Sequence, residues 1–181
     1  MSYPSFEEWK ESLSPALRRL VERQIAELRQ LGCTDPEITV RSEVSENFPQ
    51  RATFLLLRKI WSQAIDRWRE GVTPPAGGNV VNHEGASEGC FEDGLAAERR
   101  MKAAGISEWE IASFARMVAY ETAFSIAYTL DCGCDENVPE YMPGWRLFET
   151  DRDGNSTGRN MSALHESILS ADPSGREGRM Q

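Results

Sequence analysis

Histidine is scarce in this chain: His83 and His165 are the only two among 181 residues. Histidine is the side chain that titrates nearest neutrality, so imidazole acid–base chemistry has two centres at most. Cysteine is scarce as well, with Cys33, Cys90, Cys132 and Cys134. Disulfide scaffolds crowd their cysteines into short secreted chains, and this chain does not. Long apolar runs are missing too. The most apolar stretch, Met117 to Leu130, contains Glu121 and is shorter than the roughly 20 residues a bilayer-spanning helix needs. The N-terminus, "MSYPSFEEWKESLSP", has no basic segment followed by an apolar one, so no secretory signal is visible. These absences predict a cytoplasmic protein with reduced thiols and no membrane partner.

Positive charge is also short. Twenty Lys and Arg stand against 29 Asp and Glu, giving a net charge of −9 and a pI of about 4.8. Such a field repels phosphate backbones, which are bound by basic side chains that displace counterions. It argues against a nucleic-acid partner and attracts a basic protein.

The usual catalytic signatures are missing. There is no Gly-x-Ser-x-Gly elbow and no Walker phosphate loop. "AGGN" is glycine-rich but runs into Val-Val-Asn rather than a helix start. "LHESIL" lacks the second histidine of a zinc-protease helix. "DRDGNSTGRNMS" starts like a calcium loop at Asp151, Asp153 and Asn155, but has Ser156 where the sharp turn needs Gly and Ser162 where the bidentate Glu belongs. "AAGISEWEIASFARM" has a helix-turn-helix rhythm, yet its second helix opens with Glu108 and Glu110, which would face phosphates. No cofactor is expected.

What is present reads as an ordinary globular chain, 40% apolar and 27% charged. Its length predicts a single domain over 1–181 with a core that needs no staples. Residues 1–71 read as N-terminal helices. Ser5 caps "SFEEWKESL", and Ser14 with Pro15 opens "PALRRLVERQIAELRQ", which Gly32 stops. Asp35-Pro36 starts a third helix, weakened by the β-branched Ile38, Thr39 and Val40. Pro49 forces a break, and a strong helix then runs to Gly71. Residues 72–86, rich in Pro, Gly and Asn, form a loop. Residues 87–130 form a helical hairpin turned at Gly105.

The second helix of that hairpin, 107–130, opens on a Ser107/Glu110 capping box. It is apolar nearly all round, with Ala115, Ala119, Ala123 and Ala127 in one small stripe. It is therefore read as the central buried helix, with Glu121 as a partly buried acid. Asp153-Gly154 marks a β-hairpin, so 144–170 is hairpin plus short helix, and 171–181 a loose tail. The fold class is mainly α, a bundle of five or six helices with a small C-terminal β-hairpin.

Two constellations compete for function. From Asp131 to Asp153 seven acids stand against Arg146 and Arg152, a net −5 of the chain's −9, with aromatics interleaved. Asp135, Glu136, Glu140, Tyr141, Trp145 and Glu149 are the candidate partner-binding residues. They point to a non-catalytic interaction module, concretely an immunity- or antitoxin-type inhibitor of a basic protein. A homodimer is a second assembly compatible with the sequence. The other constellation is "DCGCD". Cys132 and Cys134 with His165 are a candidate metal set, although the spacing of one residue falls short of the usual zinc pair. The corresponding alternative is a metal- or thiol-dependent enzyme using Cys132 and Cys134 with His83 or His165, and Cys90 as a further thiol. The simplest account of "DCGCD" is a helix stop on Gly133.

Overall fold

The computed structural model describes residues 4–66 and 92–178. His83, Cys90 and the expected loop 72–86 lie outside them. The chain is mainly α-helical, with one two-stranded antiparallel hairpin near its C-terminus. Seven α-helices occur among the described residues rather than five or six, the count including one of seven residues and one of four. Two compact units are present: Met1–Trp61 with Phe124–Gln181, and Ser62–Ala123.

The local signals set most boundaries. Helix α1 (Phe6–Ser12) starts on Ser5, whose hydroxyl accepts from the Glu8 amide while the Glu8 carboxylate accepts from the Ser5 amide. Helix α2 (Pro15–Gln30) starts on Ser14 and ends at Gly32, which holds φ +84. Helix α3 (Pro36–Glu46) forms despite its β-branched residues and stops at Asn47 in the left-handed conformation. One turn of that helix explains the tolerance. Thr39 returns its hydroxyl to the Asp35 carbonyl at 2.9 Å, and Val40 is fully buried.

Helix α4 (Gln50–Ile60) departs from expectation at its end. It widens into a π-helical turn, Trp61–Ile65, instead of continuing as a regular helix. Trp61 and Ile65 are both fully buried. The Trp61 indole N–H donates to the Ile168 carbonyl at 2.6 Å, a bond that spans more than a hundred residues. The changed register accompanies this tertiary anchor, as π turns often do where side chains are placed for a special purpose.

In the first unit α2 packs on α1 and α3, and α4 on α3, on strand β2 (Ser156–Met161) and on helix α7 (Leu164–Ser167). Its core holds Val21, Ile25 and Leu28 of α2, Val40, Phe54, Leu57 and Trp61, closed by Met161, Leu164 and Ile168. Each such side chain contributes roughly 1.5–3 kcal/mol by leaving water. The hairpin pairs β1 (Leu147–Thr150) with β2, Leu147 opposite Met161 and Thr150 opposite Ser156.

Of the expected loose tail 171–181, residues 171–178 are described, and they are held by hydrogen bonds. Asp172 is buried; its carboxylate accepts from the Ser174 amide and hydroxyl and from the Gly178 amide, tying down residues 172–178.

Helix α5 (Glu92–Ala103) ends before Gly105 at φ +82. Helix α6 (Glu108–Cys132) starts on the expected Ser107/Glu110 box. Its burial corrects the reading of a helix covered on all sides. Ala112, Arg116, Ala123 and Ala127 are buried on one face, while Phe114, Met117, Val118, Ile126 and Tyr128 are exposed. The buried positions are three alanines and Arg116. Bulk lies outward, where an apolar count alone cannot reveal it. Glu121 is exposed. The buried charge on this helix is Arg116, which donates to Asp66 at 2.9 Å.

Candidate functional site

The expected helix stop is present at "DCGCD". Helix α6 runs through Cys132, two residues beyond the expected Leu130, and Gly133 follows at φ +73. From there a loop leads to β1, and it is closed at its base. The Trp145 amide donates to the Gly133 carbonyl at 2.7 Å. The Trp145 indole N–H donates to the Thr129 carbonyl at 2.9 Å. Gly144 lies so near that a Cβ there would stand 2.3 Å from the Gly133 oxygen. Compact loops whose ends meet in this way are common carriers of function.

The loop presents the acidic and aromatic residues. Asp135, Glu136, Glu140, Tyr141 and Trp145 are all exposed, Tyr141 to 85%. Val138, Met142 and Phe148 add exposed apolar area. Asp135 is partly occupied, accepting from the Asn137 amide and side chain. Glu136 and Glu140 make no hydrogen bond or ion pair among the described residues. The Tyr128 hydroxyl is held above its ordinary pKa, chiefly by the Cys132 sulfur one turn on, then by burial and the Glu136 charge.

Glu149 stands apart from that surface. Its side chain accepts from the Arg159 guanidinium and from the Thr157 hydroxyl at 2.7 Å. Burial pushes its carboxyl up, but the bonds from Arg159 and Thr157 and the charges of Arg159 and Arg51 outweigh this, and the net shift is downward. Arg159 also reaches the buried Glu43 at 3.3 Å, and Glu43 accepts from the Arg51 amide and guanidinium. Glu149 is thus one corner of a network joining α3, α4 and the hairpin. A carboxylate so engaged is poorly available to a partner. Sequence reading missed this because the pairs are made by strand register and helix packing.

The second feature is a pair that no spacing announces. Asp131 accepts from the His165 backbone amide at 3.0 Å and contacts His165 Nδ1 at 2.6 Å through the same oxygen, Oδ2. Its other oxygen is buried without a hydrogen-bond partner. The His165 ring packs at right angles to Phe124 and Tyr128, centroids 5.6 and 5.1 Å away. In the tautomer that carries its proton on Nδ1, His165 donates that N–H to the Asp131 carboxylate and keeps the lone pair on Nε2. Glu166, the next residue in the chain, is exposed and has no hydrogen bond to the pair. No nucleophilic side chain is hydrogen-bonded to His165 among the described residues.

Cys132 and Cys134 are free and exposed, and Cys33 is free and half-buried. Among the described residues no three His, Cys, Asp or Glu side chains gather where they could hold one metal ion. The calcium-like stretch is a turn. The Asp151 carboxylate accepts from the amides of Asp153 and Asn155, and Asn155 is the main cause that keeps its pKa low. No helix among the described residues is long and apolar enough to cross a membrane.

What fold and surface define is a mainly α-helical chain with an acidic, aromatic loop closed at its base. No protein-family model, curated protein or solved structure matches it.

Proposed function

We propose that this chain is a non-catalytic interaction protein of the cytosol, and that the loop from Gly133 to Trp145 docks a basic protein. The observation that carries the reading is Tyr141, 85% exposed and next in the chain to Glu140, which like Glu136 has no hydrogen bond or ion pair among the described residues. A large aromatic side chain left in water is an anchor awaiting a pocket, and acids around it steer a cationic partner. The closure at Gly133 and Trp145 supports it, because a pre-shaped loop loses less entropy on binding. An inhibitor that covers a basic toxin, in the manner of an immunity protein or antitoxin, is the concrete form.

The test compares wild type, Tyr141→Ala and a Glu136→Gln, Glu140→Gln double variant as baits in their native cytosol. A stoichiometric partner rich in Lys and Arg, lost from both variants and released by high salt, supports the proposal. Absence of such a partner, or equal retention by all three baits, refutes it.

A further inference from the structure

The two exposed thiols at the root of the loop are not loosely hung. Gly133 lies between them with its backbone in the left-handed region. Its carbonyl is held by the Trp145 amide at 2.7 Å and buttressed by Gly144. Trp145 is held in turn by Thr129. Cys132 closes the helix on one side of this joint and Cys134 opens the loop on the other. Residues two apart have Cα atoms at most about 7 Å apart, a span two cysteine side chains bridge to a single atom.

The donor set selects the ion. Zinc asks for four ligands in a structural site and three in a catalytic one. Here no third side chain joins the pair among the described residues, and His165 has one ring nitrogen engaged by Asp131. Two thiolates alone satisfy a soft monovalent ion, for which sulfur is the preferred donor. The exposed Asp135 and Glu136 just downstream favour a cation at this spot.

We propose that Cys132 and Cys134 form a two-thiolate chelate for a soft metal ion of the copper(I) type. Binding makes two sulfur–metal bonds and releases the two thiol protons to solvent; no electron changes hands. This site does not depend on the docking role, although it sits at the root of the same loop.

The experiment titrates the full reduced chain with copper(I), under anaerobic conditions, against a chromophoric copper(I) chelator. The expected result is one ion per chain withheld from the competitor. Cys132→Ser and Cys134→Ser each weaken binding at least about a hundredfold, the lower end of what two linked binding groups gain over one. Cys33→Ser leaves it unchanged. Gly144→Ala keeps both thiols but drives a methyl into the Gly133 carbonyl, and weakens binding by a smaller factor. Wild type surrendering copper as readily as Cys134→Ser overturns the proposal. Should the serine variants fail to fold, wild type is treated with phenylarsine oxide, which bridges two thiols with loss of one water. A single adduct mapped to the peptide holding both cysteines supports the chelate, and an adduct only on other cysteines overturns it.

Discussion

Glu43 is the place where a single substitution should tell most about what holds the first unit together. The side chain is 5% exposed and accepts from the Arg51 amide at 2.9 Å, from the Arg51 guanidinium at 2.9 and 3.0 Å, and from Arg159 at 3.3 Å. Gln24, itself buried, lies against the Arg51 guanidinium, and with its amide oriented oxygen-inward it accepts from Arg51 at 3.1 Å. Glu43→Ala removes the carboxylate and leaves two guanidinium groups facing each other. Removing one member of a buried ion pair costs about 3–5 kcal/mol. The lower end applies here, since the Arg51 side chain is 34% exposed and Arg159 keeps Glu149.

A loss of about 3 kcal/mol, with a urea slope of about 2 kcal/mol/M, moves the unfolding midpoint down by about 1.5 M. Because the chain has two units, the assay is amide hydrogen exchange read on α3 and α4 beside a far-ultraviolet urea melt. Glu43→Gln, which keeps an acceptor but not the charge, should lose about half as much. A shift below about 0.5 kcal/mol for Glu43→Ala, the range of ordinary surface substitutions, would show that the network is satisfied by water and refute the reasoning.

Three further outcomes follow from the same geometry. Glu149 has its folded-state pKa below its ordinary value, so its contribution to stability is complete above about pH 4.5 and is lost as pH falls through the folded value. Glu149→Gln should flatten that acid limb of a pH–stability profile, and an unchanged slope counts against the assignment. Trp61→Phe strands the Ile168 carbonyl and should cost about 1–3 kcal/mol by thermal melt, with the loss appearing as faster exchange around α7. Gly144→Ala should loosen the loop from the helix end, seen as faster exchange of the Trp145 amide while α2 and α3 stay protected. Normal protection of that amide would mean the clash is relieved without opening the clasp.

Much of the architecture was legible because its signals are local. Ser5, Ser14 and Ser107 cap helices through bonds that span three residues, and Gly32, Gly105 and Gly133 end them through backbone angles other side chains resist. Asp153-Gly154 turned the hairpin for the same reason. The exposed run Asp135 to Tyr141 was also legible, since a polar loop with unsupported aromatics has few ways to bury them. Other features depended on residues far apart in the chain. Glu149 looked like its acidic neighbours, yet β2 places Arg159 against it. His165 and Asp131 are 34 residues apart and meet because α7 folds back on the end of α6. The outward bulk of α6 was hidden because an all-apolar helix gives no contrast between faces, and only packing decides which face is covered. Sequence by itself determined where the chain turns, stops and bears charge. Tertiary structure decided which acids are paired and which remain open, because pairing depends on distances that sequence separation does not set.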